Sequence, residues 1–162
     1  VDADAVIGEV DEGDVVLRRL LNAGRSGAAA ETLGVGSGAM DITVDYIKGR
    51  SQFGQLIGSF QALQHRMAHL YSEMEIARAT VLKAQQMLDE GSAKAELMVS
   101  VAKAKAGKAT SLSVREGVQM PGGVGMTDEY DIGLYMKRDR ALQEFMGDVN
   151  YHTNLVAEMH GY

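Results

Sequence analysis

The 162-residue chain contains neither cysteine nor tryptophan. Without thiols it can form no disulfide framework and offers no thiolate nucleophile. Proline occurs once, at Pro121, so this breaker of helices acts at a single place. Aromatic residues are 6% of the chain and β-branched runs are few, which argues against an extensive sheet. No apolar run approaches the roughly 20 residues needed to span a bilayer. The opening residues 1–5 carry no basic stretch of the secretory kind. Basic residues number 16 against 22 acidic ones, a formal charge of −6, which disfavours non-specific attraction to nucleic acid. The expectation is a cytoplasmic protein with no nucleic-acid partner and no membrane span.

The residues that are plentiful, Ala, Leu, Met, Lys and Glu, are strong helix formers. With 46% hydrophobic residues, the chain is long enough for one all-α domain with its own core, a helical bundle. A first helix is expected from about Asp14 to Gly49, with Val16, Leu20, Leu21, Leu33, Met40, Val44 and Ile47 as its apolar stripe. Gly24 and Gly27 predict a kink or break in it. Gly34 and Gly38 share a face and predict close approach of a neighbouring backbone or ligand. The second helix has the clearest pattern. Leu63, Met67, Leu70, Met74, Ala77, Val81, Ala84 and Leu88 recur at alternating steps of four and three, the seam of an antiparallel bundle. Residues 89–92 break it. A third helix from Lys94 to Val118 has a small-residue face at Ala95, Met98, Ala102, Ala106, Ala109 and Ser113, with Lys94, Lys103, Lys105 and Lys108 expected to face solvent. Residues 119–127 read as a loop. Helix is expected to resume near Asp128, capped by Thr127, and a last helix to run from Arg140 toward Glu158 with an interruption at Gly147.

Three groups of residues can carry chemistry. Arg50 follows the first helix closely and is joined by Gln52 and Phe53. A guanidinium offers a fixed fork of donors suited to a phosphate, glutamine donates and accepts, and the ring can cover a base. A surface arginine beside a packed aromatic is the plainer alternative. Gly122, Gly123 and Gly125 could expose backbone amides to a phosphate, or simply form a helix connection. This loop has neither the Lys-Ser/Thr ending of a P-loop nor the strand context of a Rossmann fingerprint. His65 and His69, four apart, lack a third ligand of suitable spacing, so no metal is expected. No serine–histidine–acid set is present, and Glu73 and Glu75 do not form an acid pair.

The stretch from Glu31 through Leu33–Asp41 and Tyr46 to Arg50–Arg66 resembles the C-terminal helical domain of acyl-CoA dehydrogenases. The combination Arg-x-Gln-Phe-Gly with Ile-Gly-x-Phe-Gln carries the likeness, and Gln119–Thr127, Tyr130 and Lys137–Arg138 extend it over most of residues 15–158. The resemblance implies an antiparallel four-helix bundle over residues 15–162, with residues 1–14 as a linker or the exit from a missing middle β domain. It implies FAD, held in the full-length assembly and absent from the isolated fragment, and an acyl-CoA substrate oxidised to the 2-enoyl-CoA. It also implies a homo-oligomer or related dehydrogenase subunit, and an electron-transfer partner. Arg50, Gln52 and Phe53 match contacts to the diphosphate and adenosine of a neighbouring subunit's FAD. Gln119, Gly122 and Gly123 match the loop that meets FAD across that interface. Arg25 matches an arginine near the substrate.

One departure stands out. Met146 replaces the glutamate that usually removes the α proton, and Gly24 stands at the alternative position for that base. Asp148 is the substitute candidate, with Glu144 and Glu31 behind it. The final segment resembles a bacterial branch with subunits of heteromeric dehydrogenases for bulky acyl-CoA substrates. A catalytically silent structural subunit of such an assembly is therefore the second functional expectation.

Overall fold

In a computed structural model describing residues 2–162, five helices account for most of the chain: α1 (Gly13–Gly49), α2 (Gln61–Asp89), α3 (Ala95–Gln119), α4 (Ile132–Glu144) and α5 (Val149–Met159). α4 and α5 both pack against α3 and together complete a four-helix bundle. Cross-helix pairs give the directions. Arg66–Glu116 and Lys105–Glu73 pair α2 with α3 antiparallel. Ser111–Asp139 and Gln143–Gly107 do the same for α3 and α4.

α3 lies at the centre. Against the parallel α1 the two backbones come very close: Thr110 Oγ1 donates to Thr32 O at 2.8 Å and Ser113 Oγ donates to Gly36 O at 2.6 Å. A Cβ added to Gly36 would stand 3.0 Å from the Thr110 Cα. The main core joins Ala29, Leu33 and Met40 of α1 to Leu70, Met74, Ala77, Val81 and Ala84 of α2 and Val99, Ala102, Ala106 and Ala109 of α3. The predicted α2 seam is thus the buried one, with Leu63, Met67 and Leu88 half-buried at its ends.

α2 stops where residues 89–92 predict. Gly91 adopts φ +63°, Gly91 N–H donates to Leu88 O and Ser92 N–H to Met87 O, the paired bonds of a Schellman ending.

Several expectations are corrected. α1 is unbroken through Gly24 and Gly27, because Arg25, Ser26, Ala28 and Ala29 are buried on it and their packing outweighs the roughly 1 kcal/mol per glycine. Val16 and Leu20 are exposed rather than packed. Gly38 admits the Tyr135 ring, whereas Gly34 faces open space. Thr127 does not cap a helix: its Oγ1 donates to Val124 O, and α4 starts at Ile132. No new helix begins at Arg140, which lies inside α4; the interruption is at the α4–α5 turn, where Met146 and Gly147 take φ +63° and +102°. Lys103 is the largest error. It is 2% exposed, and its ammonium donates to Leu142 O at 2.9 Å and Gly147 O at 3.1 Å.

A small hairpin absent from the sequence reading follows α1. β1 (Ser51–Gln52) pairs antiparallel with β2 (Gln55–Leu56). Phe53 and Gly54, at φ +55° and +79°, form its two-residue turn of the primed type.

Candidate functional site

The hairpin and the loop after α3 meet at one end of the bundle. Ile47, Ile57 and Met120 are buried together there, with Tyr46, Phe60, Leu63 and Met67 packed around them. This apolar plug seats the hairpin: Arg50 N–H donates to Tyr46 O and Ile57 N–H donates back to Arg50 O at 2.8 Å. Between hairpin and loop lies a groove of about 430 Å³ lined by Tyr46, Arg50, Gln52, Phe53, Phe60, Met120, Pro121, Gly123 and Val124, among others.

Arg50, Gln52, Phe53 and Gly123 are therefore brought together, although they come from stretches some 70 residues apart in the chain. Arg50 is exposed, and among the described residues its guanidinium has no carboxylate within ion-pair distance. The Phe53 ring is 90% exposed, meeting Phe60 edge-on with centroids 6.3 Å apart. An L-residue in the left-handed region costs roughly 1–2 kcal/mol, so its presentation is maintained against local preference. Gly122, at φ +67°, and Gly123 both have open space where a Cβ would point. Gln119 is exposed and adjoins the lining residue Met120, but does not itself line the groove. The loop is wound into a short 3-10 turn, Gly122–Met126, with Gly125 buried against Val118. The ensemble presents one cation, one amide side chain, one uncovered ring and a backbone without side chains.

A second polar group forms where α1 passes the α4–α5 turn. Arg25 is 8% exposed and donates through Nη2 to the Tyr151 hydroxyl at 2.8 Å. The neighbouring His152 is fully buried, its ring perpendicular to Tyr151. Its Nε2 lies 3.0 Å from Met146 O. A carbonyl only accepts, so Nε2 of the neutral ring carries the hydrogen and Nδ1, which has no partner among the described residues, is bare. Burial pushes the His152 pKa below the ordinary imidazole value; the Met146 carbonyl opposes this, the charges of Arg25 and Lys103 reinforce it, and Asp148 opposes it. Burial likewise lowers the Lys103 pKa, against the pull of Asp148, Asp139 and Glu144.

The two positions that the resemblance assigns to a base touch each other. A Cβ added to Gly24 would lie 2.8 Å from Met146 Cε. Asp148 is the N-cap of α5, with Oδ1 accepting from Tyr151 N–H at 2.7 Å, a role that by itself accounts for an acid there. Glu31 is exposed and paired with Arg138, and Glu144 is exposed. His65 and His69 are exposed on α2.

Tyr151 and Lys103 were missed as members of this group. The signal for Lys103 is its spacing. It sits four residues after buried Val99 and three before buried Ala106, a helical face that solvent does not reach. Nothing local marks Tyr151, whose partner is 126 residues away.

A larger hollow, about 550 Å³, lies between α3 and α4. Both oxygens of its buried acid Asp139 are already engaged, by Ser111 and Gln143, so that carboxylate is not free to recruit a ligand. No helix among the described residues is long and apolar enough to cross a membrane.

Comparison with known proteins gives a consistent result. Residues 11–160 match the family model "Acyl-CoA dehydrogenase, C-terminal domain". The chain is 34% identical over 153 residues to the short/branched chain specific acyl-CoA dehydrogenase of Bos taurus mitochondria, covering 94% of this chain and 35% of that protein. It is 42% identical over 119 residues to the acyl-CoA dehydrogenase IpdE2 of Mycolicibacterium smegmatis, covering 74% of this chain and 36% of that one. The solved structure of butyryl-CoA dehydrogenase from Megasphaera elsdenii superposes with a TM-score of 0.93 at 29% identity, over 99% of this chain and 42% of the other. The chain thus spans between a third and a half of the length of each of these proteins.

Proposed function

The chain belongs to the acyl-CoA dehydrogenase family as its C-terminal domain, and on that footing we propose that it is the FAD-binding and oligomerisation domain of a flavoprotein that oxidises an acyl-CoA to its 2-enoyl-CoA. The convergence of exposed Arg50, Gln52 and Phe53 with the side-chain-free backbone of Gly123 in one groove, Gly122 standing next to it in the chain, carries this reading. These groups suit a dinucleotide: Arg50 fits a diphosphate as a charge-assisted donor, and the Gly122–Gly123 backbone lets a phosphate approach closely. Phe53 offers a face to the adenine and Gln52 a donor and acceptor beside it. When bound, the flavin supplies hydride acceptance. The protein's part is to hold and orient it. On this reading residues 1–14, the last two of which already belong to α1, serve as a linker or as the exit from a middle β domain, and an electron-transfer partner and a cytoplasmic setting accompany it.

Purified full-length protein, together with any co-purifying subunit, is expected to carry flavin and to bleach it when given acyl-CoA. Arg50→Ala is expected to lower flavin retention about tenfold or more. Protein that binds no flavin under any condition would sink the proposal.

A second reading, a catalytically silent subunit of a heteromeric dehydrogenase, is favoured by the contact between Met146 and Gly24, since neither side chain can accept a proton. Flavin retained without bleaching by any acyl-CoA, and bleaching restored on adding a related subunit, would select it. Turnover by this chain alone would reject it.

A further inference from the structure

A guanidinium that is 8% exposed needs a counter-charge or a full set of acceptors. Arg25 has neither. Among the described residues no carboxylate lies within ion-pair distance of it. Its one side-chain hydrogen-bond partner among the described residues is the uncharged Tyr151 hydroxyl, whose ring also lies under the guanidinium, 5.4 Å from ring centroid to Cζ, and its buried Nε has no partner there. His152 gives no compensation, because burial holds its imidazole toward the neutral form. Asp148 directs one oxygen to the backbone of Tyr151 instead.

Tyr151 is the part of this group that solvent reaches, with 47% of its surface exposed. Its oxygen accepts from Arg25, so its own hydrogen is directed to another acceptor, and none is found among the described residues. A part-buried hydroxyl donor on a half-exposed tyrosine, backed by a buried positive charge, is complementary to an incoming anionic oxygen.

We propose that Arg25 and Tyr151 form one composite donor for a negatively charged oxygen of the acyl ligand, with the Tyr151 hydroxyl making the contact and the guanidinium supplying the charge behind it. The inference rests on the functional reading above, together with the family resemblance that matches Arg25 to an arginine near the substrate, and it names the chemistry that this chain favours there. That oxygen belongs either to a second carboxylate on the acyl group or to an enolate of the thioester. With Met146 in place of an acid, this corner selects for negative charge.

The test compares full-length wild-type protein with Tyr151→Phe, which keeps the ring against His152 and removes only the hydroxyl. Equilibrium affinities are measured by calorimetry for two pairs of thioesters: glutaryl-CoA with pentanoyl-CoA, and acetoacetyl-CoA, which can bind as its enolate, with butyryl-CoA. The expected result is a loss of about tenfold confined to glutaryl-CoA or to acetoacetyl-CoA. The first outcome identifies a carboxylate, the second an enolate, and both support the composite donor. An equal change across all four probes, or no change, overturns it. If bound flavin and pentanoyl-CoA affinity are normal in that case, the functional reading stands. If wild-type protein binds neither flavin nor any of the four thioesters, that reading fails and takes this inference with it.

Discussion

Met146 lays its terminal methyl against Gly24, so closely that a Cβ on the glycine would come within 2.8 Å of it. Each residue stands where the family resemblance expects an acid, and each occupies space that the other leaves free. Methionine suits such a gap because its unbranched thioether adapts to irregular space.

Replacing the thioether is the direct test. In full-length protein, Met146→Glu puts a carboxylate beside Gly24 and within the field of Arg25. A general base contributes about 100-fold or more to rate. The variant is expected to bleach bound flavin with acyl-CoA at least about 100-fold faster than wild type, followed by stopped-flow absorbance. An unchanged rate would mean that the chain cannot supply the base from this turn.

Two glycines on the same helix should respond differently to alanine. At Gly24 the new methyl meets only the flexible end of Met146, so the gain in helix propensity of roughly 1 kcal/mol offsets the displacement. At Gly36 it meets the Thr110 backbone, 3.0 Å from Cα, and α1 and α3 must separate. Urea unfolding should find Gly24→Ala nearly neutral and Gly36→Ala destabilised by about 2 kcal/mol.

Lys103 ties the α4–α5 turn to α3 through two carbonyls. Lys103→Met keeps the aliphatic length but leaves Leu142 O and Gly147 O without this donor. A destabilisation of about 2–4 kcal/mol is expected, with faster amide exchange concentrated at residues 145–149. Uniform exchange across the bundle would remove the turn-specific role.

For His152 the folded-state pKa lies below its ordinary value of 6.5. The folded protein therefore binds fewer protons at this site than the unfolded chain in the window below about 6.5. The stabilising contribution is complete above that value and is lost as pH falls through the depressed folded-state pKa. Wild-type unfolding free energy should thus decline on acidification below about pH 6.5, and His152→Gln should decline less steeply. Parallel curves would assign the acid sensitivity to other groups.

Phe53 holds a left-handed backbone that asparagine accepts more easily. Phe53→Asn is expected to stabilise the hairpin by up to about 1 kcal/mol while lowering flavin retention several-fold, since the exposed ring is lost. A variant that retains flavin as tightly as wild type would show the ring to be dispensable in the groove.

The parts of this fold that could be read in advance were those written locally. The α2 seam from Leu70 to Ala84 and the end of that helix at Gly91 depend on neighbours within a few turns, and both are found as read. Gly24 and Gly27 misled, because a local cost predicts a break while distant packing preserves the helix. Lys103 misled for the opposite reason: its charge outweighed its spacing in the reading, and its acceptors, Leu142 O and Gly147 O, lie in the last turn of α4 and in the turn that follows it. Residue type and a family likeness pointed to Arg50, Gln52, Phe53, Gln119, Gly122 and Gly123; Arg50, Gln52, Phe53 and Gly123 line one groove, whereas Gln119 and Gly122 lie beside it in the chain without lining it. The Arg25–Tyr151 bond joins opposite ends of the chain and no periodicity records it.

The unbroken α1 acts as a ruler. From Arg25 to Arg50 its rise amounts to about 37 Å, set by one rod that α3 braces along its length. On the functional reading proposed above, a single extended cofactor would not reach from one arginine to the other within a copy. The corner that meets the reacting carbons and the groove that grips the far end of the same dinucleotide would then come from two different polypeptides, making assembly a condition of cofactor capture rather than a later embellishment.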